Sequence, residues 1–125
     1  MRRAIALTTL FLAAPVMAGE FGTQLKIIPQ SPTEFTVAYR SRAETVDYWC
    51  AAGNFVTNTL GLPDRTRVYR ASPSPRKSGQ GISFSLDPAR SVGETGVLTY
   101  GGPQDGSFSA GGAWAQFCGS NRSLR

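Results

Sequence analysis

Two cysteines, Cys50 and Cys118, are the only ones in the chain, and there is no histidine. A covalent link between two distant points restricts a fold more than any local propensity does. The state of these thiols therefore comes first. A disulfide, a reactive thiolate, a metal ligand and a free or intermolecular thiol are all open on chemistry alone. The compartment decides between them.

The chain opens MRRAIALTTLFLAAPVMA. Arg2 and Arg3 form a positive start, and Ala4 to Ala14 is an apolar run too short to span a bilayer. Val16-Met17-Ala18 has the small residues that a signal peptidase reads. Residues 1–18 are expected to be a cleaved secretory signal, with the mature chain starting at Gly19. Gly19 stands where a lipoprotein would need its cysteine, so no lipid anchor is expected. The protein is read as periplasmic or secreted.

Removing 18 of the 125 residues leaves 107, enough for one domain with a modest core. We place that domain at 19–118, with a flexible polar tail at 119–125. Losing Arg2 and Arg3 leaves eleven basic residues against eight acidic ones, a mild +3.

In an exported chain an even cysteine count favours a staple, and Cys50 to Cys118 is the one intramolecular pairing. Chain entropy alone gives such a bridge about 4 kcal/mol. Trp49-Cys50 has a faint likeness to the Cys-Trp pair of papain-type helices. The glycine-rich approach is missing, however, and no histidine can form the ion pair. The same lack of imidazole argues against structural zinc. No metal and no cofactor are expected.

Leu25 to Ile28 is a strand candidate, followed by a turn at 29–32. In Glu34 to Arg40, Phe35, Val37 and Tyr39 alternate with polar residues, as in a half-buried strand. Ser41 and Glu44 match a capping box. Val46, Trp49, Cys50, Gly53, Val56 and Leu60 then recur at helical spacing, and Gly61 and Pro63 stop the helix. Thr66 to Ala71 is a further strand, with Val68 and Arg70 on one face and Arg67 and Tyr69 on the other. Ile82, Phe84 and Leu86 mark another, ended by Asp87-Pro88. Gly96 to Tyr100 and Ala113 to Cys118 are read as the last two strands. The glycine-rich 101–112 is read as the loop between them, with Phe108 as an apolar anchor at its tip. The order is β-β-α-β-β-β-β. It predicts an α+β fold, a mostly antiparallel sheet with one amphipathic helix packed on it.

The stretch RTRVYRASPSPRK carries Arg65, Arg67, Arg70, Arg76 and Lys77 and no acid. With Tyr69, these residues form a candidate patch for an anionic partner such as lipopolysaccharide, an acidic polysaccharide or an acidic protein. A solvated strand face blunted by charge reads the same way. Nucleic acid is not expected, since basic residues around one tyrosine are a thin signal in this compartment. Residues 72–81 begin Ser-Pro-Ser-Pro, a stiffened loop able to fill a partner's groove as an inhibitor does. The glycines of 101–112 lack the phosphate-loop pattern.

Eight acids are scattered: Glu20, Glu34, Glu44, Asp47, Asp64, Asp87, Glu94 and Asp105. None forms a pair suited to glycosidase chemistry. No catalytic residue is assigned.

The signal, the helix DYWCAAGNFVTNTLGL, the stretch RVYRASPSPRKSGQGISFSL and a cysteine near the end resemble a set of small uncharacterised bacterial exported proteins. That resemblance implies an envelope protein and carries no activity. The sequence thus leads to a non-enzymatic exported binding module. A hydrolase inhibitor acting through the 72–81 loop is the alternative, and a small histidine-free enzyme is the third reading.

Overall fold

Alternation along Glu34–Val37 (β2) turns Phe35 and Val37 into the core and leaves Glu34 and Thr36 half-exposed. The same period of two governs Arg67–Arg70 (β3), where Val68 and Arg70 are buried, and Ile82–Ser85 (β4). These strands belong to a computed structural model that describes residues 24–99 and 101–118. The signal at 1–18, the expected start at Gly19 and the tail at 119–125 lie outside the described residues.

Two further strands, Ile27–Ser31 (β1) and Ser107–Ser109 (β5), complete one five-stranded antiparallel sheet in the order β1-β2-β4-β3-β5. Phe35 lies opposite Phe84 in the β2–β4 register, and Val68 lies opposite Phe108 between β3 and β5. The β1–β2 register slips between Pro29 and Ser31. Pro29 has no N–H to give, and an edge strand is where a sheet tolerates it.

The helix α1 spans Thr45–Asn54. Its start differs from the sequence expectation. The N-cap is Glu44 rather than Ser41, and the Asp47 carboxylate accepts the Glu44 backbone N–H at 2.8 Å. Arg42 adopts a left-handed φ of 74°, and the Ala43 N–H closes a turn onto Arg40 O. The turn occupies the residues that the expected cap required. Beyond Asn54 the helix widens to π geometry over Phe55–Thr59, where the Thr57 hydroxyl bonds back to Gly53 O at 2.9 Å. Gly61 is left-handed at 70°, which ends the helix where expected.

The C-terminal part departs most from the sequence reading. Of the strand expected at Gly96 to Tyr100, residues 96–99 form none, and Tyr100 lies outside the described residues. Gly93 and Gly96 both take positive φ, and the Thr95 hydroxyl accepts the Val97 N–H, so the chain turns instead of extending. The loop expected at 101–112 contains β5, and Phe108 is an inward-facing strand residue rather than a loop tip. The strand expected at Ala113–Cys118 is helical. Ser109 caps the short helix α2, Ala110–Ala113, by accepting the Gly112 N–H at 3.1 Å, and a π turn follows over Trp114–Cys118. Ala110, Ala113 and Phe117 are all buried, at helical spacing.

The helices meet closely. A Cβ on Gly53 would lie 2.6 Å from Ala110 O and 2.8 Å from Trp114 N. One turn before it, Cys50 is bonded to Cys118, so the expected staple ties α1 to the last turn of the described chain. An aromatic row crosses the core from Phe55 through Phe35, Phe84, Trp49 and Phe108 to Phe117, with neighbouring centroids 4.7–5.7 Å apart. Trp49 is fully buried in that row, whereas Trp114 is 44% exposed.

Candidate binding surfaces

The basic stretch 65–77 does not stay together. Strand alternation sends Arg70 into the core with Val68, where it is 1% exposed. Its guanidinium is satisfied by backbone carbonyls: Nε donates to Ser72 O at 2.8 Å, Nη2 to Pro73 O at 3.0 Å and Nη1 to Thr95 O at 3.0 Å. Burial lowers its pKa, but a guanidinium keeps its proton in proteins. Arg70 braces two loops and is not on the surface. Gly96 passes so near Arg70 Nη1 that a Cβ there has no room.

Arg67 and Tyr69 share the opposite face of β3, both half-buried. Arg67 Nε and Nη2 donate to Ser107 Oγ at 3.1 and 2.7 Å. Ser107 in turn donates to Asp105. That bond is the main reason the Asp105 carboxyl titrates below its ordinary value. Arg65 is exposed in the turn before β3, beside Asp64, whose carbonyl accepts the Gly111 N–H.

Arg76 and Lys77 belong to the far end. The Arg76 guanidinium lies over two tyrosine rings, 5.0 Å from the Tyr48 centroid and 5.5 Å from that of Tyr39, and donates to Ala43 O at 3.0 Å. Tyr48 Oη accepts the Arg40 backbone N–H at 3.1 Å. These contacts bring the 76–77 segment against the 40–43 turn. The Lys26 backbone lies next to this end, its carbonyl accepting the Ala38 N–H at 2.8 Å. One end of the domain therefore carries Lys26, Arg40, Arg42, Arg76 and Lys77 on neighbouring segments, with the Arg76 guanidinium against Tyr39, itself 45% exposed. Arg42, Arg76 and Lys77 form no ion pair among the described residues, where the recorded pair is Arg90 with Glu34 at 2.8 Å.

Sequence reasoning missed Lys26, Arg40 and Arg42. The signal available was the Arg40-Ser41-Arg42 run, which the sequence reading divides between the end of a strand at Arg40 and a helix cap from Ser41. Among the described residues no cluster of three or more cysteine or carboxylate side chains is placed to hold a metal. No described helix is long and apolar enough to cross a membrane. No protein-family model, curated protein or solved structure matches the chain.

Proposed function

We propose that this is an exported, non-enzymatic module that binds an anionic envelope component or an acidic protein partner through its basic end. The observation that carries the reading is that three separate segments bearing Lys26, Arg40, Arg42, Arg76 and Lys77 meet at one end, where Arg76 bonds Ala43 O and lies over the ring of Tyr39. Like charges repel, so such a cluster costs stability unless an opposite charge meets it. Three of the five are arginines, whose planar forks suit phosphate and carboxylate groups. The buried Cys50–Cys118 bond supports a site of action outside the reducing cytosol.

The test is chemical-shift mapping of the 15N-labelled oxidised protein during titration with a sulfated or phosphorylated polysaccharide. The amides of 39–44 and 76–80 are expected to move together and to return when salt is added. Movement confined to 64–67 and 107–111 would overturn the assignment.

A further inference from the structure

Tyr39, just past β2, is an aromatic ring left 45% exposed at the basic end, and its hydroxyl has no partner among the described residues. A cation holds the ring in place. The Arg76 guanidinium over it is itself fixed: Nη2 donates to Ala43 O at 3.0 Å and Nη1 to Gln80 O at 3.4 Å, with the ring of Tyr48 5.0 Å away. Tyr48 is fully buried. Tyr39 is thus tied to the core through Arg76 and Tyr48, which leaves less freedom to lose when something binds it. Its surroundings are polar. Arg40, Ser41 and Arg42 follow it in exposed positions, and the loop that Arg76 pins beside it exposes Lys77 and Gln80. The acids nearest in the sequence are Glu44 and Asp47, and Asp47 is committed to the helix cap. Arg42 keeps its charge at a left-handed φ of 74°, where glycine would cost less. Strain retained at an exposed charged residue points to a use for that side chain.

We propose that the ligand of this surface is an acidic polysaccharide rather than an acidic protein, with one sugar ring stacked on Tyr39 and the carboxylate or sulfate groups of the same chain on Arg42 and Lys77. This rests on the basic-end reading above and narrows it. A protein partner would need a core of apolar side chains depleted of charge. Here a single flat ring stands among cations and small polar groups. A sugar needs no more than that. Its C–H face covers the electron-rich face of an aromatic ring. Its hydroxyls pair with polar neighbours, and its anionic groups take charge-assisted bonds from arginine and lysine.

The test titrates the oxidised protein with a uronate hexasaccharide, a sulfated hexasaccharide and hexaglutamate. At least one sugar is expected to bind about tenfold more tightly than hexaglutamate and to show intermolecular NOEs from its C–H protons to the Tyr39 ring. The sugar that binds identifies the anion. Tyr39→Ser should weaken that sugar about tenfold, whereas Tyr39→Phe, which keeps the ring over Arg76, should hold it within about twofold. Hexaglutamate should change by less than about twofold in both variants, which separates loss of stacking from loss of local structure. Hexaglutamate binding as tightly as both sugars, or sugar binding that Tyr39→Ser leaves intact, would overturn the sugar assignment and leave the basic end as a general anion site. No movement of the 39–44 and 76–80 amides with any probe would overturn both.

Discussion

Trp49 and Arg70 donate to the same acceptor: the indole Nε1–H and the guanidinium Nη1–H each lie 3.0 Å from the carbonyl oxygen of Thr95. A core helix and a core strand thus hold one turn of an otherwise irregular loop. Removing the two donors separately should have unequal effects. Arg70→Met strands the Ser72 and Pro73 carbonyls, takes one of two donors from Thr95 O and should cost about 3 kcal/mol or more. Trp49→Phe keeps most of the ring packing and leaves Thr95 O its other donor. It should cost about 1–2 kcal/mol. Urea unfolding midpoints at constant m-value give the comparison.

Gly53 should not tolerate a methyl group. Alanine is the better helix former by about 1 kcal/mol. Here, though, its Cβ would meet the backbone of α2 and the turn after it at 2.6–2.8 Å. Overpacking against backbone costs about 1–3 kcal/mol, which offsets the propensity gain. Gly53→Ala is expected to lower the thermal midpoint, and a raised midpoint would mean that the two helices can separate freely.

The Cys50–Cys118 bond closes a loop of sequence separation 68. The chain-entropy model assigns it about 4 kcal/mol. The double variant Cys50→Ala, Cys118→Ala should lose a large part of that in denaturant titration, with the aromatic near-ultraviolet signal weakening first around Phe117 and Phe108.

Two carboxylates, half-exposed Glu34 and exposed Asp105, should report on their partners as pH falls. The bond from Arg90 holds Glu34 below its ordinary value, and the bond from Ser107 does the same for Asp105. An acid whose folded pKa is depressed stabilises the fold above its unfolded pKa. That contribution is lost as pH falls through the folded value. The loss should therefore begin below about pH 5. Arg90→Gln should raise the Glu34 midpoint and Ser107→Ala that of Asp105, each read from its carboxyl carbon resonance.

Period-two alternation made three strands legible: it placed Phe35, Val37, Val68, Ile82 and Phe84 inward. It also set Arg70 beside Val68, yet charge counting along the chain placed Arg70 in a surface patch. A buried arginine is invisible to composition, since its partners are carbonyls that a sequence does not label. The last segment was misread because Ala113 to Cys118 is short and apolar, which suits strand and helix alike. The Ser109 cap and the spacing of Ala110, Ala113 and Phe117 held the deciding signal. Residues 96–99 were misread because glycine flanks them for a reason of space and turn, not extension. The basic end joins three segments, and no local pattern reports which distant turns will meet.

The most direct test of the basic end compares two charge-matched double variants for binding to dextran sulfate at fixed salt. Arg42→Gly with Lys77→Gln removes two charges from that end. Glycine also relieves the left-handed backbone at Arg42, worth about 1–2 kcal/mol, against a similar entropic cost, so the fold should be preserved. Arg65→Gln with Arg90→Gln removes two charges elsewhere. The account predicts that the first pair weakens binding at least tenfold while the second leaves it within about twofold. Equal losses in both would contradict it, because net charge rather than this surface would then be doing the binding.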